Sequence, residues 1–518
     1  MGTLDSKDTS GIMSNTRTEN SIRNIMVAYS TQFLQIVLKF VVRTVFVLTL
    51  SKEYLGLNGL FSNVLQFFAL AELGIGPAIT FCLYKPIAHN DNDTILALMR
   101  VFKKAYCCIG FFILGAGLVT APFIESIVKD VPNIPYFKLI YLMFVVNSAV
   151  SYFYSYREIF VTANQRDYVV TSNKLMFDFL CGTLQVVFLL TTHEYLYFLI
   201  IQILTTVGRN INISRIAKRD YPVLLENRYV ALDEENKWLI KENIAAMIFH
   251  KIGAVFVFSS SHILMSKLFG LVVEGLYSNY ALIISAVEEL YGAFFRAITA
   301  SVGNLRATSD KDNQLRVFKN VFFINFVGIT FATVCLLVLF NPFITLWVGE
   351  QFCFDNFIVY ALVTYFYFRG MRCTCGTFNG AFGLMRCYKS TPIPEVIINI
   401  GSAIWLSRIY GPAGIFMGGI ISTILICLWI EPYVLFKYGF PMSLRKYFMI
   451  YVRYLLSAIL IVGTCYWCGR HIVMGGFGGI ALRLLMCIIV TAVWVVALYS
   501  RTNEFRELVQ IGKRILRR

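Results

Sequence analysis

Residues 59–72 read GLFSNVLQFFALAE and residues 275–288 read GLYSNYALIISAVE. The match runs from Gly59-Leu-Phe-Ser-Asn63 and Gly275-Leu-Tyr-Ser-Asn279 to Glu72 and Glu288, each pair 216 residues apart. At the same offset Arg100-Val-Phe-Lys103 recurs as Arg316-Val-Phe-Lys319, and Pro122-Phe-Ile124 recurs as Pro342-Phe-Ile344 at offset 220. One such match is chance-grade; three in register mark a duplication. Six apolar runs fall within one copy, an even number, so both copies face the same way across a membrane. The pattern predicts an all-α integral membrane protein of two pseudo-symmetric six-helix lobes related by an axis along the membrane normal, with two C-terminal helices added. Two such lobes are expected to enclose a cavity and to alternate its access by rocking.

That the helices are membrane-spanning follows from composition. The 518 residues are 57% hydrophobic and 15% charged, with mean hydropathy +0.66, too apolar for a chain that must cover itself with polar groups. Apolar runs of roughly 20 residues recur, each long enough for a hydrocarbon core about 30 Å thick. Backbone in lipid satisfies its own hydrogen bonds, and the short alternating segments of a β-barrel do not occur. The runs fall at 21–46, 54–84, 105–128, 136–162, 168–191, 194–216, 242–266, 270–300, 317–347, 356–384, 391–409, 412–436, 447–468 and 474–499, about fourteen spans. Residues 1–20 are polar and lack a signal-peptide pattern, so the first run is expected to stay as a span.

Lysine and arginine sort by side. Alternate loops hold clusters such as Arg100, Lys103 and Lys104; Arg209, Arg215, Lys218 and Arg219; Arg316 and Lys319; and Arg445 and Lys446. The opposite side holds Lys52, Lys129, Lys138, Lys267, Arg408 and Arg470. The positive-inside rule then places both termini in the cytoplasm. This topology explains the net charge of +16 without nucleic acid, because the basic residues are spread among short loops rather than gathered on one patch. The expected organisation is a cytoplasmic segment 1–20, an N-lobe 21–217, a cytoplasmic linker 218–241 with an amphipathic part, a C-lobe 242–437, two helices in 438–500 and a basic tail 501–518.

Charges inside apolar runs point to function, since each costs roughly 2.5–3.5 kcal/mol near the membrane centre and is kept facing a cavity or a partner. Lys39 and Arg43 are four residues apart on one face of the first helix. Lys251 lies in the seventh helix, Arg296 ends the eighth, and Arg369 and Arg372 lie in the tenth. One reading makes Lys39, Arg43 and Lys251 a cationic cavity for diphosphate or acidic sugars, with Arg296, Arg369 and Arg372 as further substrate contacts. The other has these cations snorkelling to an interface or pairing with Glu53, Glu72 or Glu288. Glu72, Glu288 and Glu289 could carry a coupling ion or neutralise the cations. Asn63 and Asn279 are expected to tie helices together.

Other features imply no chemistry. The thirteen cysteines, Cys107-Cys108, Cys373-x-Cys375 and Cys465-x-x-Cys468 among them, lie in or beside apolar runs without a histidine cluster, so no metal, cofactor or redox role is expected. His193, His250 and His262 are isolated, which excludes a catalytic triad or zinc site, and no enzymatic role is expected. The glycines from Met474 to Ile480 lack phosphate-loop context and are expected to permit close helix packing.

Four segments carry a family resemblance. Residues 43–88, RTVFVLTLSKEYLGLNGLFSNVLQFFALAELGIGPAITFCLYKPIA, and residues 250–287, HKIGAVFVFSSSHILMSKLFGLVVEGLYSNYALIISAV, resemble polysaccharide transporters of the oligosaccharide (O-antigen type) flippase family. TASVGNL at 299–305 and NPFITLWVGE at 341–350 do so as well. The wider superfamily includes multidrug and toxin extrusion proteins and the peptidoglycan lipid flippase, and the likeness runs from about Asn24 to about Tyr438. It implies flipping of undecaprenyl-diphosphate-linked oligosaccharide units across a bacterial cell membrane for capsule, exopolysaccharide or O-antigen synthesis. Partners would be membrane lipids and the glycosyltransferases and polymerase of the same pathway, and Lys39, Arg43 and Lys251 would engage the diphosphate. The chain departs from the pattern at Ser261-His262, where an aspartate and an asparagine are expected, and at Asn379-Gly380 and Thr391, where charges are expected. Cation coupling through those positions is therefore not implied.

Three other readings compete. A drug extruder of the same fold would favour carboxylates and aromatics in its cavity, whereas this first helix carries Lys and Arg. A membrane polymerase or ligase would show a large outside loop, and the loops here are short. A scaffold for a glycan-assembly complex would tolerate loss of the cavity lysines.

Overall fold

The computed structural model describes residues 32–72, 74–129, 134–226, 228 and 230–516, and among them every regular element is helical. Among the described residues nine helices are long and apolar enough to cross a membrane, ten when one bent pair is counted as a span, so the chain is a multi-pass membrane protein. All fourteen apolar runs fall on a helix or on abutting helices, the first from residue 32 onward. The chain divides into two compact units, Met1–Ile248 and Phe249–Arg518.

The first unit holds α1 (Gln32–Thr49), α2 (Lys52–Phe68), α3 (Ile75–His89), α4 (Asn92–Thr120), α5 (Phe137–Phe153), α6 (Ser155–Ala163), α7 (Asp167–Thr192) and α8 (Tyr195–Asp220). α9 (Glu234–Phe269) carries the chain into the second unit, which continues with α10 (Leu271–Thr308), α11 (Lys311–Trp347), α12 (Asn356–Met371), α13 (Cys373–Ala381), α14 (Pro392–Tyr410), α15 (Ala413–Ser422) and α16 (Leu428–Tyr438). Then come α17 (Leu444–Arg470), α18 (Gly476–Tyr499) and the amphipathic α19 (Asn503–Leu516).

The duplication is visible inside each unit. α4 packs on α5, α5 on α8 and α8 on α7; in the second copy α11 packs on α12, α12 on α15 and α15 on α14. The α4 N-cap is Asp91, which accepts from the Thr94 N–H and hydroxyl at 3.1 and 2.7 Å; these bonds, the hydroxyl first, hold its carboxyl below the usual range. Asp310 caps α11 likewise, accepting from the Asn313 N–H at 3.2 Å. α5 and α6 meet at Tyr154 with a 42° bend, and α12 and α13 meet at Arg372, 218 residues later. The copies differ in the helix that opened the comparison. In the first, α2 gives way to a 3₁₀ turn at Ala69–Glu72 and Gly74 adopts φ 79°, which breaks the span; in the second, α10 runs on without interruption. Position 290, 216 residues after Gly74, is leucine, which resists that left-handed backbone.

Small residues set the closest approach. A Cβ on Gly414 would sit 2.3 Å from the Leu406 carbonyl carbon, and one on Gly418 would sit 2.5 Å from the Ala403 nitrogen, so α14 and α15 touch backbone to backbone. Gly418→Ala should therefore cost about 1–3 kcal/mol through overpacking, whereas Gly401→Ala meets nothing within 4 Å. Thermal unfolding in detergent checks this: Gly418→Ala is expected to melt several degrees below Gly401→Ala, and equal melting temperatures would contradict the contact.

α11 is the hub of the second unit, packed on α12, α13, α17, α18 and α19. Its Phe322, Phe323 and Phe326 are buried against Tyr447 and Tyr454 of α17 and Tyr499 of α18, with Phe326 stacked 4.4 Å from Tyr454. The added C-terminal pair is thus fastened by aromatic area. The linker after α8 is anchored to the first unit, where Tyr221, Val223, Leu224, Leu232 and Ile240 pack on the α3–α4 core.

Candidate functional site

On α1, residues advance about 100° each. Gln35, Leu38, Val42 and Phe46 therefore share a packed face. Gln35 Nε2 donates to Asp178 Oδ2 of α7 at 2.9 Å, and Leu38 and Val42 lie against Gly182 of α7. Phe46 meets the rings of Tyr195 and Phe198 of α8 at 5.5 and 5.4 Å. Leu34, Val37, Val41 and Leu48 are exposed on the opposite side, as lipid-facing residues should be. Lys39, exposed, and Arg43, half-buried, lie on the flank of the packed face away from that apolar stripe. Two cations are thus held by a helix seated against α7 and α8. In the same unit Tyr106 Oη donates to Glu72 Oε1 at 2.9 Å, beside the break in the second span.

The second unit gathers more charge. Arg372, at the break between α12 and α13, donates from Nη2 and Nε to Glu431 Oε1 of α16 at 2.6 and 3.2 Å and from Nη1 to Glu395 Oε1 of α14 at 2.9 Å. Both carboxylates are buried, and Asn379 Nδ2 donates to the Glu431 carbonyl at 3.0 Å. With all three groups ionised the cluster carries one negative charge, and its planar guanidinium joins three helices. A π-helical stretch, Thr423–Cys427, precedes α16 and re-aims the chain just before Glu431.

One helical turn before Arg372, Arg369 pairs with Glu288 of α10 and lies over the Tyr365 ring at 5.6 Å. Glu289 is half-buried and Arg296 exposed on the same helix. Lys251 belongs to α9, but its side chain lies outside the described residues. The expected cations are therefore placed in two sets within separate units. Lys39 and Arg43 share one flank of α1, while Arg369 and Arg372 are engaged by carboxylates.

A third feature is the pair His262 and Glu274, where Nδ1 and Oε1 are 2.6 Å apart across the α9–α10 turn at Gly270. His262, read from sequence as isolated, is thus paired. The hairpin brings together residues on either side of Gly270 that linear spacing keeps apart. Glu395, Glu431 and Asp178 were also missed. The signal for Glu431 was present, a lone carboxylate before Pro432 in the apolar run LWIEPYVLF, whereas Glu395 sits near a helix start where acids are ordinary. Asn63 donates to the Gly59 carbonyl of its own helix at 2.9 Å rather than to a neighbour, because α2 offers that acceptor one turn back. The 474–480 glycines shape the turn into α18, with Gly476 at φ 66°, instead of a helix-packing seam. No group of three or more potential metal ligands occurs among the described residues.

No protein-family model matches the chain, and no curated protein matches it. Solved structures do. The lipid II flippase MurJ in an inward closed conformation aligns over 93% of this chain and 100% of its own, with TM-score 0.65 and 14% identity. An inward-facing multidrug resistance MATE family transporter of the MOP superfamily aligns over 80% and 99%, with TM-score 0.60 and 13% identity. A point mutant of the Vibrio cholerae MATE transporter VcmN aligns over 81% and 98%, with TM-score 0.57 and 11% identity. The chain therefore has the fold shared by these membrane transporters.

Proposed function

We propose that this chain, built on the fold shared by the lipid II flippase and MATE transporters, moves an anionic lipid-linked oligosaccharide from the cytoplasmic to the outer face of a bacterial cell membrane. The observation that carries the reading is the cationic flank of α1. Lys39 and Arg43 are the two charged residues of Gln32–Thr49, off the exposed stripe and beside the face seated on α7 and α8. Ammonium and guanidinium groups so placed suit a diphosphate, which spreads negative charge over several acceptor oxygens. A small cationic drug would be repelled there. Further support comes from the resemblance of residues 43–88 and 250–287 to polysaccharide transporters and from the 93% coverage of this chain by the MurJ alignment. In this reading Arg372, Glu395 and Glu431 hold the second unit together, Lys39 and Arg43 engage the diphosphate, and both termini are cytoplasmic. A small-molecule extruder is the second reading, supported by the MATE neighbours of TM-score 0.60 and 0.57.

Native mass spectrometry of the purified protein with long-chain polyprenyl diphosphate, the uncharged polyprenol and a cationic dye separates the two. The flippase reading expects retention of the diphosphate lipid over the polyprenol. Retention of the dye alone would replace it with extrusion.

A further inference from the structure

α18 leaves a groove against α11. Val327 and Phe331 of α11, Ile488, Ala492 and Val496 of α18 and Phe505 of α19 line an almost wholly apolar cavity of about 380 Å³, all within the second unit. Ile488, Ala492 and Val496 are exposed, so the groove opens on the face of α18 that is turned to lipid. An apolar concavity holds water poorly, and its walls gain dispersion contacts when an apolar group fills it. We propose that the groove seats one acyl chain of an anionic phospholipid whose headgroup rests on the cations at and around α19.

Geometry and charge identify the ligand together. From Ile488 to Val496 the groove follows α18 for about 12 Å, and Val496 stands one turn before Tyr499, where the helix ends. A phospholipid carries its phosphate at the end of its chains, so a chain lying in the groove brings the phosphate to that level. The cations gather there. Residues 501–518 hold six, Arg501, Arg506, Lys513, Arg514, Arg517 and Arg518, against the two acids Glu504 and Glu507. Arg506 and Lys513 are exposed, while Glu507 accepts a hydrogen bond from Asn320 Nδ2 of α11. Arg453 of α17, also exposed, lies over the Tyr499 ring at 5.0 Å. Clusters of about four to eight cations on an amphipathic helix beside a membrane span attract anionic headgroups.

Charge decides among the apolar occupants. A zwitterionic phospholipid offers the same chains with no net charge to answer the basic tail, and an uncharged prenyl chain offers no headgroup for it. Phe505 joins the two halves of the site, since it closes the groove from the same helix that carries Arg506 and Lys513. α19 is itself fastened to α11, the hub of the unit, through Glu507 and Asn320. A lipid seated here touches α11, α18 and α19 at once and braces the last membrane helix against the hub.

Native mass spectrometry of the full chain with phosphatidylglycerol and phosphatidylcholine of identical chains tests the site without any transport. Wild type is expected to retain phosphatidylglycerol at least about tenfold better, since a single cation near a headgroup contributes about fivefold. Ala492→Phe fills the groove from its lipid-facing wall and is expected to lower retention of phosphatidylglycerol several-fold. Arg501→Gln, Arg506→Gln, Lys513→Gln and Arg514→Gln together are expected to bring the two lipids to nearly equal retention. Equal retention of both lipids by wild type, or retention of phosphatidylglycerol unchanged by Ala492→Phe, overturns the proposal. Displacement of phosphatidylglycerol by an uncharged polyprenol would give the groove to a prenyl chain, and a dimer lost in Ala492→Phe would give it to a second copy; either result overturns the proposal as well. Should Ala492→Phe not fold, Ile488→Trp, at the exposed far end of the groove, decides in its place.

Discussion

Arg372→Ala leaves little folded protein in the membrane and lowers the melting temperature of what remains more than any other single charge removal in the second unit. Two buried carboxylates, Glu395 and Glu431, depend on this guanidinium, and together they join α13, α14 and α16. Removing one partner of a buried ionic cluster costs about 3–5 kcal/mol, because the remaining charges lose their compensation in low dielectric. Arg369→Ala is the comparison. Its partner Glu288 has a side chain 35% exposed against 11% for Glu395 and 10% for Glu431, so it is less enclosed by protein and the effect is smaller. The triple variant Arg372→Met with Glu395→Gln and Glu431→Gln is expected to recover folding, since it removes all three charges together. Fluorescence-detected gel filtration and thermal unfolding in detergent decide the matter. Equal stability of Arg372→Ala and Arg369→Ala would mean that the cluster is not a structural clamp.

Lys39→Ala combined with Arg43→Ala should reduce binding and flipping of a polyprenyl diphosphate at least a hundredfold. Each hydrogen bond to a charged group contributes about 1.5–3 kcal/mol, and tenfold in affinity is about 1.4 kcal/mol, so two such contacts account for that loss. The contacts of Gln35, Leu38, Val42 and Phe46 that seat the helix are left in place by both substitutions. Affinity by native mass spectrometry and flipping in vesicles are to be compared at matched protein amounts. A double variant that binds and flips like wild type would remove the cationic flank from the substrate path.

Much of the fold was readable because a membrane imposes a coarse rule, apolar runs of about 20 residues, and because three short repeats fell in register. The break at Gly74 was not. Its span is as apolar as the matching α10, and the broken copy has Gly74 and Pro77 where the continuous one has Leu290 and Ala293. The candidate site was legible as a set of costly charges and not as a set of partners. Arg369 and Arg372 stand one helical turn apart at a helix break, yet one meets Glu288 and the other Glu395 and Glu431, contacts made across helices remote in sequence. His262 was invisible for the same reason, since its partner lies beyond a turn whose position depends on Gly270.

The most direct test of the transport reading is the surface glycan and the pool of lipid-linked oligosaccharide in a strain lacking this protein, measured beside the same strain complemented with wild type. Loss of surface polymer with accumulation of lipid-linked units on the cytoplasmic face, both reversed by wild type, is the expected result. Unchanged polymer and no accumulation, in a strain without a second transporter of this fold, would contradict it.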